Sequence, residues 1–535
     1  MNRRQLLTRS LPGCAAVLVG SRYEPRGAPS NSITGAPIVE TRFGKVRGAC
    51  IRGVNVFRGI PYGGATSGTG RFLPASEPRG WTGIRDATET GPRCLQGLGS
   101  VFLSPLIGEY FRGSTDRTEL AREKESEDCL VLNVLTPALK GKRPVLVYIH
   151  GGGFSGLSSL LTLFADRFPG EQDVVLVGIN HRLGVFGYLY LGSFSEKYAA
   201  GNVGQLDLIA ALKWVRDNIA QFGGDPARVT IFGESGGGAK ISTLLGMPEA
   251  KGLFHRAIVE SGSLLRVYDN EVATRRTHDL LTKLGLSGDQ AAQLQSIPAA
   301  KLLAAGAEAG EMEYGPVVDG RSIPQQPWDP KAPETSANVP MIIGNCKDEA
   351  TLFSLDDEAL FHLDEAGLHE RVVKAGIPGS EVDRLLAVYH RDHPKDTPSD
   401  IYFRISTDRG ARWNAVRQAE LKVAQGKAEV YMYYFTWDTP VGAGKIKAFH
   451  TAELPLAMRL VRYPESEQLS RQISGAWAAF ARGGTPNRHG LPRWPAYSIT
   501  ERGTMIFDAA KSEAFNDPDG EERRMLRERP SGSLL

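Results

Sequence analysis

The stretch Gly233-Glu234-Ser235-Gly236-Gly237 decides the fold that this sequence predicts. The apolar run of residues 229–232 precedes it and predicts a buried strand, while residues 238–245 are typical of a helix start. A serine at such a strand–turn–helix junction, with glycines two positions to either side, has the pattern of a nucleophile elbow. Side chains at positions 233 and 237 would collide with the serine in so tight a turn, and glycine removes that collision. A plain glycine-rich turn is the alternative, so the rest of the chain decides.

Further apolar runs before and after this stretch predict the strands of one sheet. Near-continuous apolar sequences are typical of strands buried on both faces, as in a mostly parallel sheet covered by helices. Between two runs, residues 202–222 carry apolar side chains at helical spacing and stop at residues 223–226. Alternating strands and helices predict an α/β chain with a central, mostly parallel twisted sheet and helices on both faces. The predicted core strands are residues 145–149, 174–179, 229–232, 256–259, 341–343 and 431–437.

The segments around this core predict one large domain. Residues 38–62 alternate in polarity between glycines, which predicts an N-terminal antiparallel meander. Two polar helical stretches, near 271–310 and 356–427, are long for crossovers and are interpreted as cap insertions over a cleft. Because no repeat or low-complexity linker interrupts residues 38–515, residues 33–535 are predicted to form a single domain.

The composition is that of an ordinary globular protein, with 41% hydrophobic and 23% charged residues in a chain of 535. A net charge of +3 is small for this length and indicates no nucleic-acid partner. No apolar run approaches the roughly 18–20 residues that span a bilayer, so no transmembrane segment is expected. The five cysteines include no C-x-x-C pair, which argues against zinc and dithiol redox sites. Oligomeric state is left open.

Residues 1–32 have the layout of an export signal followed by a polar linker. Arg3 and Arg4 precede the apolar block of residues 11–20, and a polar stretch rich in proline and glycine follows. Paired arginines before such a block resemble a twin-arginine signal, which predicts export to the periplasm or the medium. The alternatives are a disordered N-terminus on a cytoplasmic protein and lipid attachment at Cys14. Export would permit a disulfide.

A serine hydroxyl needs a base and an orienting acid before it can act as a nucleophile. In α/β-hydrolases the acid and then the histidine follow the serine, each after a core strand. His450 follows the last strong strand and a glycine-rich loop, whereas the other later histidines lie in the cap or in a polar turn. The adjacent carboxylates Asp348 and Glu349 stand at the end of the strand before it, and spacing alone does not separate them.

The same chemistry needs backbone N–H groups that stabilise the oxyanion. One donor is expected from Gly236, directly after the serine, and the others from a glycine-rich loop after an earlier strand. Residues 150–154, His-Gly-Gly-Gly-Phe, follow the predicted strand 145–149 and supply Gly152 and Gly153. Two matched features at the required positions argue against an ordinary flexible turn.

Taken together, these motifs resemble the type-B carboxylesterase family, which includes cholinesterases and bacterial para-nitrobenzyl esterases. The resemblance extends over residues 38–510. It implies the α/β-hydrolase fold and the hydrolysis of small-molecule carboxylic esters without a metal or an organic cofactor. The matching stretches are residues 57–62, 126–133, 180–184, 222–237, 344–353 and 449–454.

The resemblance assigns roles to individual residues of this sequence. It implies that Ser235 is the nucleophile, that Glu349 rather than Asp348 is the acid, and that His450 is the base. The oxyanion hole is implied to consist of Gly152, Gly153 and Gly236.

Four further residues are implied by the resemblance to hold the neighbouring loop. These are Cys94 and Cys129 as a disulfide, and Arg71 and Glu127 as an ion pair. Two positions next to the predicted triad are expected to support it from the residues themselves: Glu234, beside the nucleophile, and Ser261, after the strand 256–259.

Some positions depart from the family pattern. Gly236 stands where alanine is usual, and this is expected to matter little because the backbone is the donor. Ala350 replaces a glycine, and Cys346 replaces an asparagine or threonine, which puts fine geometry in doubt but not the reaction. A catalytically silent binding protein is the alternative from another class, but all three triad positions are filled. Amides, carbamates or polyesters remain alternatives to simple esters.

Overall fold

The strands form where the apolar runs predict them. The computed structural model of the chain describes residues 35–97, 105–112, 123–307 and 314–527. The strands are β1 (Ile38–Thr41), β2 (Gly44–Arg47), β3 (Ala49–Ile51), β4 (Val54–Pro61), β5 (Ile84–Asp86), β6 (Val131–Thr136), β7 (Arg143–Ile149), β8 (Val175–Ile179), β9 (Gly224–Glu234), β10 (Arg256–Glu260), β11 (Met341–Cys346), β12 (Val430–Phe435), β13 (Gly503–Phe507) and β14 (Glu513–Asn516).

The main sheet has 11 strands in the order β14-β13-β12-β11-β10-β9-β7-β8-β6-β4-β3. The strands from β8 through β7, β9, β10, β11 and β12 to β13 run parallel, and those at the two ends pair antiparallel. A second sheet of 3 strands has the order β1-β2-β5. The predicted fold class, a mostly parallel sheet with N-terminal antiparallel strands, is confirmed.

The helices lie between and beyond these strands. They are α1 (Pro105–Arg112), α2 (Arg167–Gln172), α3 (Gly184–Tyr188), α4 (Val203–Asn218), α5 (Gly236–Leu244), α6 (Asn270–Lys283), α7 (Ala299–Ala307), α8 (Glu349–Phe353), α9 (Glu365–Lys374), α10 (Gly379–Asp392), α11 (Pro398–Thr407), α12 (Trp413–Val423), α13 (Leu454–Ala457), α14 (Glu467–Gly483) and α15 (Gly520–Arg527). Among the described helices, none has the length and apolar character that a membrane crossing requires.

Alternate side chains of the central strands enter two different cores. Val147 packs in the same core as Trp214 of α4, whereas Tyr148 packs in the core that contains Trp477 of α14. This alternation follows from the strand geometry, in which successive side chains point to opposite faces of the sheet. The continuous apolar runs in the sequence are therefore explained by helices that cover both faces of the main sheet.

Two details of the chain differ from the sequence-based expectation. The N-terminal meander is divided, because β1 and β2 pair with β5 while β3 and β4 extend the main sheet. Two further strands, β13 and β14, follow the strand predicted at 431–437, and their short length gave no strong signal. The predicted export signal at 1–32 lies outside the described residues.

The parallel register aligns the ends of the strands that follow the nucleophile. Glu234 at the end of β9 pairs with Glu260 at the end of β10, and Glu260 pairs in turn with Gly344 of β11. The carboxyl ends of parallel strands thus meet at one edge of the sheet, where open α/β sheets bind their ligands. Helices α6 and α7 occupy the first predicted cap stretch, and α9, α10, α11 and α12 occupy the second.

Candidate active site

The predicted nucleophile lies in a strained turn between β9 and α5. Ser235 has φ 57° and ψ −127°, a backbone conformation that a side chain makes costly by about 1–3 kcal/mol. Its backbone N–H donates to Glu260 O at 2.8 Å, which ties the turn to the neighbouring strand β10. The residues to either side of it are buried, but Ser235 itself is partly exposed. Strain at such a turn is typical of a nucleophile elbow.

The glycines of the elbow are required by a neighbour other than the serine. A Cβ atom on Gly233 would lie 2.4 Å from Ile149 O, and one on Gly237 would lie 2.1 Å from the same oxygen. The predicted need for glycine is correct, but the collision would be with the last carbonyl of β7 and not with Ser235. The elbow therefore presses against the start of the glycine-rich loop.

That loop approaches the elbow too closely for any side chain at position 236. A Cβ atom on Gly236 would lie 2.1 Å from Gly153 O and 2.5 Å from Gly153 N. The expectation that this glycine matters little to the reaction stays a prediction, although an alanine here would require backbone on one side to shift. Gly152 and Gly153 themselves have φ of 76° and 56°, which L side chains rarely adopt. The structure thus brings the three predicted oxyanion glycines together.

The predicted acid lies at the first position of α8, directly after β11. Glu349 Oε1 accepts hydrogen bonds from Ser261 Oγ at 2.6 Å and from the backbone N–H of Cys346 at 2.7 Å. Its other oxygen, Oε2, is hydrogen-bonded to His450 Nδ1. Asp348 instead lies 3.6 Å from Lys347 Nζ and accepts from the N–H of Ala448. The structure therefore separates two carboxylates that spacing alone could not.

His450 lies buried between two carboxylates. Its Nδ1 contacts Glu349, and its Nε2 lies 3.2 Å from Glu234 Oε1. Nε2 has no hydrogen-bond partner among the described residues, and catalytic hydrogen bonds of this kind often tighten only when substrate binds. Burial alone would lower the pKa of His450, but the charges of Glu234 and Glu349 outweigh it and raise the pKa to about 9.

Two more buried carboxylates stand behind the histidine, and the sequence analysis missed both. Glu453 accepts from Tyr433 Oη at 2.8 Å and from Cys346 Sγ at 2.9 Å. Glu260 accepts from the indole N–H of Trp477, and burial and the charge of Glu453 raise its pKa to about 8. A charged residue at the end of an otherwise apolar strand was the available signal for Glu260.

An apolar cleft of about 510 Å³ opens beside the nucleophile. It lies between the glycine-rich loop, the elbow and the segment that follows β10. The residues that line it are Gly153, Phe154, Ser235, Gly236, Ala239, Gly262, Ser263, Leu264, Arg266, Val267, Tyr268 and Pro316. Of these, Arg266 is already paired with Asp329 and lies 3.8 Å from Asp269.

The loop next to the site carries the predicted ion pair. Arg71 Nε lies 2.5 Å from Glu127 Oε2, and Arg71 Nη1 also donates to the carbonyl of Leu294 at 2.9 Å. Cys94 and Cys129 are both buried, and the neighbouring Cys94 thiol together with burial raises the pKa of Cys129. The structure holds them as free thiols, so the disulfide stays a prediction.

The comparisons with known proteins extend over most of this chain. The model of the Carboxylesterase family matches residues 35–523. The para-nitrobenzyl esterase of Bacillus subtilis (strain 168) is 36% identical over 509 residues, which cover 91% of this chain and 98% of that protein. The human cocaine esterase is 33% identical over 506 residues, covering 87% of each chain.

Solved structures match over the same length. A carboxylesterase of Geobacillus stearothermophilus at pH 6.2 matches with a TM-score of 0.78 and 40% identity, covering 91% of this chain and 99% of that one. An esterase of Clostridium hathewayi, described as able to hydrolyse aliphatic aromatic polyesters, matches with a TM-score of 0.75 and 30% identity. It covers 93% of this chain and 99% of that one.

Proposed function

Because this chain belongs to the carboxylesterase family and hydrolyses carboxylic esters, we propose that it does so through an acyl-enzyme formed on Ser235. In this proposal His450 is the general base and Glu349 orients it. The observation that carries the proposal is the position of Glu349, whose two oxygens join Ser261, the N–H of Cys346 and His450 Nδ1. A carboxylate fixed on both sides holds the imidazole with Nε2 directed away from it.

The reaction then runs in two matching halves. Ser235 Oγ attacks the acyl carbon, its proton passes to His450 Nε2, and a tetrahedral oxyanion forms. The imidazolium gives that proton to the leaving alcohol, and the carbonyl re-forms as an acyl-enzyme. Water repeats the attack with His450 as base, which releases the acid and restores the serine hydroxyl.

The oxyanion of both intermediates is assigned to the backbone N–H groups of Gly152, Gly153 and Gly236. Support comes from the contact between the loop and the elbow, which leaves no room for a Cβ atom between them. Removal of one such donor costs about 10²–10³ in kcat in a serine protease. Glu234 Oε1 lies 3.2 Å from His450 Nε2, and its charge raises the pKa of His450, although burial also raises the pKa of Glu234 itself.

The cleft favours an uncharged ester with an apolar arm. Its described lining is mainly apolar, and its guanidinium, Arg266, is engaged by Asp329 and Asp269. The ring of Phe353, which is 56% exposed, lies 4.9 Å from the ring of His450 and offers a second apolar surface beside the triad. Hydrophobic contact on both sides of the scissile bond would orient such an ester.

A substrate panel with matched variants tests these assignments. We expect the purified chain to hydrolyse para-nitrophenyl esters, and Ser235→Ala to lose about 10⁶-fold in kcat. Acyl and alcohol groups are then lengthened separately, and the series in which kcat/KM rises identifies the arm that fills the cleft. A film of an aliphatic aromatic polyester is included, because the Clostridium hathewayi esterase acts on that class. Hydrolysis by Ser235→Ala at the wild-type rate would rule out the proposed nucleophile.

Export and a disulfide complete the proposal. The basic and apolar pattern of residues 1–32 supports a twin-arginine-like signal to the periplasm or the medium, with a cytoplasmic location as the alternative. Contact between the buried thiols of Cys94 and Cys129 supports a bond between them once the chain is in an oxidising compartment. Mass spectrometry of the chain recovered from the producing cells tests both, since signal removal and loss of two hydrogens are separate mass changes.

A further inference from the structure

One buried lysine contacts the oxyanion loop directly. Lys240 lies on α5, one turn after the elbow, and its residue is 0% exposed. Its Nζ donates to Gly153 O at 2.7 Å and to His150 O at 2.9 Å, and it lies 3.5 Å from Gly151 O. The partners of this ammonium are thus backbone carbonyls of a single loop.

We propose that Lys240 is a positioning residue for the oxyanion hole, because its ammonium holds the loop carbonyls on the helix side. The C=O and N–H groups of a trans peptide are coplanar and point in opposite directions. A carbonyl that is held on one side therefore directs the N–H of the same peptide to the other side. This inference rests on the proposed function and adds a residue to it.

The contacts along the loop support this assignment peptide by peptide. Gly151 O, which Lys240 approaches, shares its peptide with the N–H of Gly152. Gly152 O shares its peptide with the N–H of Gly153, and it accepts from the N–H of Gly156 at 2.9 Å. The carbonyls on either side, those of His150 and Gly153, receive the two short contacts from Lys240. Each peptide that carries a proposed donor is thus restrained at or beside its carbonyl.

The close approach at position 236 belongs to the same arrangement. The carbonyl that lies 2.7 Å from Lys240 Nζ, Gly153 O, is the atom that a Cβ on Gly236 would meet at 2.1 Å. Gly236 leaves the space, and Lys240, on the same helix, supplies the attraction that closes it. The departure from alanine and the buried lysine therefore act together.

The charge of Lys240 also acts through the loop. A hydrogen bond to a carbonyl polarises the peptide and strengthens its N–H as a donor, and a buried ammonium does so strongly. The rings of His150 and His181, stacked at 4.7 Å, pack nearby, and burial together with Lys240 lowers the pKa of both. These imidazoles are neutral, and the ring of Phe154 lies 5.6 Å from Nζ. Burial lowers the pKa of Lys240 to about 7, so the positive charge that it places behind the proposed hole is lost as the pH rises through that value.

A second buried lysine provides a matched control. Lys422 on α12 is also 0% exposed, and its Nζ donates to Ser336 O at 2.7 Å and to Ala337 O at 2.9 Å. Its carbonyl partners lie outside the proposed site. Lys422→Met therefore removes a buried ammonium from backbone carbonyls, as Lys240→Met does, without touching the oxyanion loop.

The test compares the two variants in kinetics and in inhibitor binding. We expect Lys240→Met to lower kcat for a para-nitrophenyl ester about 10- to 100-fold with little change in KM, less than the loss of a whole donor. Affinity for a trifluoromethyl ketone, which forms a tetrahedral adduct with the serine, should fall by the same factor. Affinity for the product alcohol should not change. Lys422→Met should lose stability but keep kcat and inhibitor affinity within a factor of 2.

The outcomes separate this inference from the proposed function. If Lys240→Met matches wild type, or if both variants lose kcat and inhibitor affinity equally, Lys240 does not position the hole, although the Ser235 mechanism stands. If wild type hydrolyses no ester, the proposed function fails before any lysine variant is compared. Should Lys240→Met not fold, Lys240→Gln keeps an N–H donor without the charge, and wild-type kinetics in Lys240→Gln would exclude the role of the charge.

Discussion

Two clusters of buried and partly buried charged side chains among the described residues are held in different ways. The first surrounds the proposed base and is termed the triad cluster; it comprises Glu234, Glu260, Glu349, Glu453 and His450. The second joins the cap helices to the C-terminal segment and is termed the cap cluster; it comprises Asp396, Asp408, Asp519, Arg404 and Arg412. The first is rich in carboxylates, and the second pairs carboxylates with guanidinium groups.

The cap cluster is a set of ion pairs. Arg404 Nη2 lies 2.6 Å from Asp396, and Arg412 Nη1 lies 2.7 Å from Asp519. Burial alone would raise the pKa of Asp519, but the charge of Arg412 outweighs it and the pKa is lowered. Asp408 lies 3.6 Å from Arg412 and has a raised pKa, because burial outweighs that more distant charge. The negative charges of the aspartates in the cap cluster are therefore largely balanced by the positive charges of the two arginines.

The triad cluster satisfies its carboxylates with hydrogen-bond donors instead. Ser261 donates to Glu349, Tyr433 donates to Glu453, and Trp477 donates to Glu260. Hydroxyl and indole donors bring no positive charge, so burial raises the pKa of Glu234, Glu260 and Glu453, and the charges of Glu234 and Glu349 raise the pKa of His450. The comparison teaches that the cap cluster contributes to stability, whereas the triad cluster raises the pKa of His450 at some cost in stability.

The largest effect on kcat expected within the two clusters tests whether the charge of Glu349 is needed for catalysis. Glu349→Gln should lower kcat by about 10⁴-fold, as does the equivalent change in a serine protease triad, because the amide cannot stabilise the imidazolium. The unfolding midpoint should change far less than activity does. The matched control is Asp348→Asn, which alters the adjacent carboxylate and should retain kcat within a few fold. A larger loss in the control would reverse the assignment of the acid.

The second prediction breaks the cap cluster. Arg412→Met should lower the free energy of unfolding by about 3–5 kcal/mol, because it leaves buried carboxylates without their partner. The kcat/KM of the folded fraction should match wild type, since the ion pairs of Arg412 in the described residues are with Asp408 and Asp519 and not with the proposed triad. Urea denaturation and ester kinetics measure the two effects. As a control, the exposed Arg391→Met should leave the denaturation midpoint nearly unchanged.

The third prediction uses the pH dependence of the free energy of unfolding to test whether burying Glu260 in the triad cluster lowers stability. Glu260 has a pKa of about 8 in the folded chain against 4.5 when solvated, so the folded state binds more protons between these values. Wild-type stability should therefore fall relative to Glu260→Gln as pH rises through that window, by at most about 1.4 kcal/mol per pH unit. Urea unfolding at three pH values measures the slope. Equal slopes for both proteins would mean that Glu260 is not held neutral by the fold.

The smallest expected effect concerns the carboxylate next to the nucleophile. Glu234 raises the pKa of His450, so Glu234→Gln should move the acid limb of the kcat/KM profile to lower pH by about one unit. The neutral imidazole that abstracts the serine proton is then populated at a lower pH. Profiles of wild type, Glu234→Gln and Asp348→Asn measured side by side isolate the effect. A limb that moves upward, or equally in both variants, contradicts the assignment.

Much of this molecule follows from local sequence patterns. Near-continuous apolar runs predicted the central strands, because a strand covered on both faces must be apolar throughout. The elbow at Ser235 and the glycine-rich loop were visible because tight turns and close backbone contacts need glycine at particular positions. His450 was found from its place after a strand. The choice of Glu349 over Asp348 came from resemblance, since both follow the same strand.

Other features depend on contacts between distant parts of the chain. Lys240 meets His150, 90 residues earlier, and Ser261 approaches Glu453, 192 residues later. The register of the parallel strands and the packing of α5 against the loop set these partners. No periodic pattern in the sequence around Lys240 or Ser261 predicts these contacts. The close approach that an alanine at position 236 would meet is of the same kind.

The sequence by itself therefore determined the fold class, and it predicted the order of the proposed catalytic groups and the position of the proposed nucleophile. It could do so because burial and turn geometry are imposed residue by residue along the chain. Only the tertiary structure showed that Glu349 contacts His450 directly, that Lys240 contacts residues 150–153, and which carboxylates are paired with guanidinium groups. A buried polar group is stabilised by its partners, and those partners become neighbours only when the sheet and helices have packed.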